Sequence, residues 1–338
     1  MLQATLRYDA ARRQRQAATA LGVRREWARM GNDLDASWAT VGPRVAAVVI
    51  AAQLGAAEDA LAYVPLALAE QGARLRPEFD VDPGAVAGVA TTTDQMAYGS
   101  LDALLYGSVV HARSAPAGSL DERLAVGGRH LDLLVQTQIA DAGRMASTTA
   151  IAVTPRTGWV RQVNPPCCKR CAVLAGKWFR KNQGFDRHPG CDCTHIPWAE
   201  ATDDDPGISI AAEDVKDLTI AERKAIDLGA DMNQVINASR KGSRSADGMW
   251  TTEGTTKGGW ASYVKRSIAR EKGETVPMTA EHVGRRGAVR NYVVRRTGPR
   301  PTPQAILRYS DNEDEMRRLL ARSGYIVGDL SKIARSAA

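Results

Sequence analysis

Five cysteines, Cys167, Cys168, Cys171, Cys191 and Cys193, crowd into one short stretch, and the rest of the 338-residue chain has none. Cys168 and Cys171 form a C-x-x-C pair, the spacing at which a tight turn aims two thiolates at one tetrahedral ion. His188 and Cys191 repeat that interval after a gap of 16 residues, and Cys193 competes with His188 for the fourth position. Cys168, Cys171, His188, Cys191 and Cys193 are therefore the candidate metal ligands. Their spacing matches a structural zinc site of three thiolates and one imidazole, or of four thiolates if Cys193 takes the last place. The plainer alternative is a set of reduced thiols buried in a turn, or a disulfide formed after release from the cell. Cys167 reads as a spare thiol. His195 reads as a surface residue or as a partner that hydrogen-bonds a ligand.

The other chemistry open to such residues is catalysis. Acyl transfer needs a nucleophile, a base and an orienting group brought together. The histidines are His111, His130, His188, His195 and His282, and no G-x-S-x-G elbow occurs. His111 and His130 fall in helical text and read as packed helix histidines. A hydrolytic zinc needs an open coordination position, whereas a thiolate-rich site closes on itself. No catalytic or cofactor-binding residue is assigned, and the expected metal role is structural.

The elements that must position this knuckle are mainly helical. Apolar residues recur at intervals of three and four through residues 1–150. The pattern predicts helices over Leu2–Met30, Pro43–Gln71 and Asp94–Ala112, and a further one opened by the capping box Ser119-Leu-Asp-Glu122 and running to about Met145. Beyond Ser147 the β-branched texture predicts strands at Thr149–Thr154 and Gly158–Val163. The interval between the two ligand pairs reads as a hairpin, so no recognition helix of the zinc-finger kind is expected there. Capping boxes at Thr219–Glu222 and Ser310–Glu313 open short helices that end at Gly229 and Gly324, with another helix over Asp231–Ser239.

The expected fold is thus mainly α, of the α+β kind. An extended helical domain over 1–148 is followed by a small β-hairpin, zinc-knuckle-like module over 149–202. An acidic linker, short helices and a loop-rich basic tail occupy 203–338.

Composition is that of a globular protein, 44% hydrophobic and 25% charged, with 5% aromatics. The most apolar stretch, Val45–Ala69, is interrupted by Gln53, Glu58 and Asp59, so it is expected to be a core helix and no membrane contact is anticipated. The N-terminus has no apolar run of the secretory type, which points to a cytoplasm-like compartment. Charge is uneven: residues 240–300 hold 14 Lys/Arg against 5 Asp/Glu. Such a tract is an electrostatic footprint for a polyanion, or else a solvated surface.

The knuckle's wording carries a resemblance. Cys168-Lys-Arg-Cys171, then Leu174-Ala-Gly-Lys177 with Trp178 and Phe179, then His188-Pro-Gly-Cys-Asp-Cys193, resembles the phage Mu protein F (MuF-like) family of minor head proteins, in particular its actinobacteriophage members. The motif spans about Gly158 to Pro197, and Ala230–Asn237 and Thr251–Thr256 are similar too. The family's Cys-Arg-Cys is Cys191-Asp192-Cys193 here.

The resemblance implies a minor capsid or head-morphogenesis protein of a tailed phage. It would sit with the portal protein and the inner capsid or scaffold, facing packaged double-stranded DNA through the 240–300 tract. Its location would be the capsid interior of the virion, reached from the host cytoplasm during assembly. A capsid maturation protease is the alternative implied by related genes beside the portal, and a zinc-containing nucleic-acid-binding protein is the second alternative.

Overall fold

A computed structural model describes residues 2–93, 100–116, 118–188, 190–200, 208–253, 279–283, 291–295 and 298–326. They fall in two compact units. The first comprises Met1–Asn164 with Ala175–Ser209, and the second Pro165–Leu174 with Ile210–Ala338. The module expected over 149–202 is divided between them, its strands lying in the first and the C-x-x-C segment in the second.

The first unit is a helical bundle of α1 (Gln3–Trp27), α2 (Leu34–Glu70), α3 (Pro83–Thr93), α4 (Leu101–Arg113) and α5 (Leu120–Ala152). Much of the packing is through small side chains. Ala56, Ala57, Ala60 and Ala67 on α2 and Ala142, Ala146 and Ala150 on α5 are buried, which lets helix axes approach closely. Gly127 does the same between α4 and α5, because a Cβ there would lie 2.6 Å from the Ser108 carbonyl oxygen and 2.8 Å from Ala112 Cβ. Larger side chains fill one end of the bundle, where Trp27, Trp38, Leu105, Val109, Leu131 and Ile139 cluster. At the other end Tyr8 stacks on Tyr63 at 4.3 Å between ring centroids.

Three strands, β1 (Thr157–Gln162), β2 (Trp178–Arg180) and β3 (Thr194–Ala199), form a sheet of order β2-β1-β3, antiparallel throughout. The end of α2 is tied to the β3 edge through Gln71, whose amide donates to the Pro197 carbonyl at 2.8 Å and accepts from the Ala199 N–H at 3.1 Å. That bond pair covers backbone groups that an edge strand would otherwise leave open.

Several expectations are corrected here. Thr149–Thr154 is not a strand, since α5 runs on to Ala152. Thr149 donates its hydroxyl to the carbonyl four residues back at 2.9 Å, which satisfies a β-branched polar residue inside a helix, and Thr154, just past the helix end, does the same at 2.6 Å. The second helix starts at Leu34, capped by Asp33, with Pro43 inside it. α3 fills a stretch expected to be loop; Asp82 accepts from the Gly84 N–H at 2.9 Å and Pro83 opens the helix. The helix expected over Asp94–Ala112 is described only from Leu101, residues 94–99 lying outside the described set. α2 is also, by length and composition, apolar enough to cross a membrane, with a mean hydropathy of 1.6 over its best window, 44% of which is buried.

The second unit carries α6 (Lys169–Leu174), a 3-10 turn at Ala212–Asp214, and helices α7 (Ile220–Asp227), α8 (Met232–Ala238), α9 (Pro303–Tyr309) and α10 (Glu313–Arg322). Val235, Ile306, Met316, Leu320 and Tyr325 form its core. The capping boxes at Ser119 and Thr219 are both present, with reciprocal side-chain and backbone bonds. The box expected at Ser310 is not: Asn312 caps α10 instead, and a separate helix, α9, precedes it with Thr302 as cap and Pro303 at its first turn.

Strand β4 (Trp250–Thr251) pairs with β7 (Arg300–Pro301), while β5 (Thr279–Val283) pairs with β6 (Asn291–Arg295). Most of the basic tract, 254–278 and 284–290, lies outside the described residues. Between the ligand pairs the chain forms α6, a turn at Gly176 (φ 67°) and β2. The predicted hairpin is therefore replaced by a strand that pairs with β1 rather than with its own neighbour.

Candidate metal centre

In the second unit, Cys168 sits at the N-terminus of α6 and its Sγ accepts from the Cys171 N–H at 3.4 Å. This is the geometry of a helix cap made by sulfur, and it turns both side chains of the C-x-x-C pair toward the same side. The preceding Cys167 is held by its backbone, accepting from the Lys216 N–H at 2.7 Å and donating to the Asp214 carbonyl at 2.9 Å. Burial, then the neighbouring Cys168, pushes its thiol pKa up, so it stays a neutral thiol. Lys169 pairs with Glu222 at 2.6 Å. Burial alone would raise the Glu222 carboxyl, but bonds from Lys169, Thr219 and Ser239 hold it below its ordinary value.

In the first unit, His188, Cys191 and Cys193 occupy the loop that leads into β3. The Cys191 N–H donates to the His188 carbonyl at 3.0 Å, closing a turn around Gly190, whose φ of 72° suits glycine. The Gly190 N–H in turn donates to Thr137 Oγ1 on α5 at 3.1 Å.

Buried arginines hold the rest of the loop. Arg144 on α5 donates to the carbonyls of both Cys191 and Cys193 and is paired with Asp141, which also pairs with Arg187 at 2.6 Å. Arg161 on β1 donates to the Asp186 carbonyl at 2.7 Å and reaches Cys191 Sγ at 3.8 Å, its guanidinium 4.1 Å from the Phe185 ring centroid. A guanidinium donating to a sulfur stabilises the thiolate form that metal binding requires.

The sulfurs of Cys168 and Cys171 in the second unit lie within 4.8 Å of each other, as do those of Cys191 and Cys193 in the first, and these residues with His188 could hold a metal ion. Cys167 and His195 are not among them. Thiolates and an imidazole are the donors of a tetrahedral zinc ion, so the residues fit such a metal in their chemistry.

His195 is corrected from a surface residue to a buried one, 1% exposed. Its Nε2 lies 3.2 Å from Thr148 Oγ1, and its ring meets Trp159 and Phe185. Burial first, then the positive charges of Arg144 and Arg161, hold its pKa well below the ordinary imidazole value. It is a neutral packing residue of strand β3.

Asp192 stands between the last two cysteines of the loop. It pairs with Arg12 on α1 at 2.5 Å and approaches Arg13 at 3.8 Å, while Asn164 donates to its carbonyl at 3.0 Å. Asp9 completes the network by pairing with Arg12 at 2.6 Å and accepting from Asn164 at 3.0 Å. An arginine at 192 would face two arginines. Asp192→Arg is therefore expected to destabilise the fold by about 1 to 2 kcal/mol, and Asp192→Asn by less than half of that. Urea unfolding of the two variants beside the parent chain measures the difference.

Sequence reasoning missed Arg144, Asp141 and Arg161. One signal was available: Asp141 and Arg144 are the only charges in the small-residue stretch Ile139–Ala146, and they stand three apart on one helix face. No protein-family model, no curated protein and no solved structure matches the chain.

Proposed function

We propose that the chain is a minor head protein of a tailed phage, placed with the portal protein on the capsid interior, and that its cysteine knuckle holds a structural zinc ion. The observation that carries the metal reading is the pair of buried sulfurs of Cys191 and Cys193, with Arg161 donating to the first of them. Soft thiolates select zinc over the oxygen-loving cations. Cys168, Cys171 and Cys191 supply three ligands in this reading, and His188 or Cys193 the fourth. A zinc closed in this way staples chain segments together and leaves no position for a substrate.

The head-protein reading rests on the wording around the ligands, Leu174-Ala-Gly-Lys177 and His188-Pro-Gly-Cys-Asp-Cys193. The basic 240–300 tract supports it, since lysines and arginines facing packaged DNA gain affinity by releasing counterions. Mass spectrometry of mature virions against procapsids tests it directly. The chain is expected in both, in few copies relative to the major capsid protein, and its absence from both would refute the assignment.

One observation favours the protease alternative. Ser108 Oγ lies 3.1 Å from His130 Nδ1, hydrogen-bond reach for a nucleophile and its base. Ser108, however, is fully buried between helices, and His130 stacks on His111 at 3.8 Å between centroids, a contact that serves α4–α5 packing. Co-expression with capsid and scaffold proteins decides between the two: cleavage that disappears with Ser108→Ala would put the protease first.

A further inference from the structure

In the second unit, the link between α7 and α8 changes the chain's direction within four residues. α7 ends in a Schellman arrangement: the Gly229 N–H donates to the Ile226 carbonyl at 2.9 Å and the Ala230 N–H to the Ala225 carbonyl at 3.0 Å. Gly229 takes a φ of 95°, a conformation open to glycine. Asp231 then caps α8 by accepting from the Gln234 N–H at 2.8 Å. The Asp231 N–H donates to the Tyr325 carbonyl at 2.8 Å, which fixes the turn to the chain beyond α10.

Two helices joined by a short turn containing glycine make a helix-turn-helix. Here α7 has eight residues and α8 seven, with Leu228–Asp231 between them. Burial follows the same plan. Ala225 on α7, Leu228 and Ala230 in the turn, and Val235 and Ala238 on α8 share one core with Met316 and Leu320 of α10. A third helix thus backs the pair.

Away from that core α8 turns a polar face outward. Asn233 and Asn237 are partly exposed, and Arg240 and Lys241, just past the helix end, are exposed. At about 100° per residue, Asn233 and Asn237 stand about 40° apart around the axis, and Arg240 extends the same side. Neither asparagine side chain has a hydrogen-bond partner among the described residues.

The charge on this side is positive. From Asn233 to Ala246 the sequence holds three cations, Arg240, Lys241 and Arg244, and no acid. Of the neighbouring acids, Asp231 is engaged in the α8 cap and Asp227 lines the groove between α7 and α10. Glu253 lies 3.8 Å from Arg240, whose side chain is 68% exposed. So loose a surface pair holds the guanidinium weakly and leaves it open to a phosphate, which it binds more strongly.

The major groove of B-DNA admits an α-helix, and an asparagine amide there can make two hydrogen bonds to one adenine. At about 1.5 Å per residue, Asn233 and Asn237 are about 6 Å apart along α8, close to two base-pair steps of about 3.4 Å. The major groove of A-form RNA is too narrow for such a helix.

We propose that α7, the turn and α8 form a helix-turn-helix that binds double-stranded DNA. α8 lies in the major groove, with Asn233 and Asn237 on base edges and Arg240 and Lys241 on phosphates. The site belongs to the second unit alone and stands whether or not the chain is a head protein.

Two measurements on the full chain test it. Anisotropy of a fluorescein-labelled DNA duplex of mixed sequence, across a salt series, reads the phosphate contacts. Selection from a random-sequence duplex pool reads the base contacts. The parent is expected to bind with an affinity that falls steeply with salt, and to enrich a shared motif. Arg240→Ala with Lys241→Ala should weaken binding about tenfold and reduce the salt slope by about 1 to 2. Arg285→Ala with Arg286→Ala removes the same charge elsewhere in the basic tract and should cost clearly less. Asn233→Ala with Asn237→Ala alters no charge. It should keep the salt slope and lose the motif, its preference over mixed sequence falling at least about tenfold. Circular dichroism checks that each variant is folded.

The proposal is overturned by a parent that does not bind the duplex, that binds an RNA duplex as tightly, or that selects no motif. It is overturned equally by folded α8 variants that bind and select as the parent does, or by an Arg285/Arg286 pair that costs as much as Arg240/Lys241. None of these results bears on the chain's presence in virions, which tests the head-protein reading separately.

Discussion

Cys171→Ser is expected to abolish metal binding outright, whereas Cys167→Ser should leave it intact. Cys171 belongs to the proposed ligand set whichever of His188 and Cys193 is the fourth, and a site closed by four ligands is broken when one of its C-x-x-C thiolates is lost. Cys167 is buried, kept protonated and not among the candidate ligands. Metal analysis of freshly purified, reduced protein should give close to one zinc per chain for the parent and for Cys167→Ser. Binding that occurs in the native state alone stabilises that state. A chelator should therefore lower the melting temperature of both these chains and leave Cys171→Ser unmoved. The fourth ligand follows from the same assay, since only one of His188→Ala and Cys193→Ser should lose the ion. Equal zinc content in all four variants would end the metal assignment.

Arg144→Met is expected to be the most damaging single change outside the cysteines, by about 3 to 5 kcal/mol. The guanidinium is the shared donor for two carbonyls of the ligand loop, Cys191 and Cys193, and a partner of Asp141, whose side chain is 1% exposed. Removing it strips two buried acceptors and leaves a buried carboxylate relying on Arg187 for its charge partner among the pairs described. The long apolar methionine keeps the packing volume, so the loss measures charge and hydrogen bonding rather than a cavity. Urea unfolding gives the stability change. A shift below about 1 kcal/mol would mean that the loop is not held from α5.

What the sequence made legible follows from how local each cause is. The Ser119 and Thr219 capping boxes were readable because both halves of the motif lie within four residues of each other. The ligand spacing was readable for the same reason. α3 was hidden by Gly84 and Gly88, which weaken a helical pattern, although Asp82-Pro83 is a good start for one. The threonines near the end of α5 suggested a strand through their propensity; in the fold they bond back to helix carbonyls and the helix continues. Nothing local marks Arg161 or His195 as buried. Their burial follows from the antiparallel register that pairs one with the other across β1 and β3, a contact between residues 34 apart in sequence.

The β4–β7 pair has a consequence for how this protein can change. It brings Thr251 and Arg300 side by side, and Arg300 is anchored on the far side by Gln234 and the Ser323 carbonyl at 2.8 and 3.1 Å. The second unit is therefore closed at its neck, and the residues from 252 to 299 form an excursion that starts and returns at adjacent points. The entropy of closing such an excursion grows only with the logarithm of its length, about 0.6 kcal/mol per doubling. Its length can therefore drift while the neck, and the helices it fastens, stay as they are.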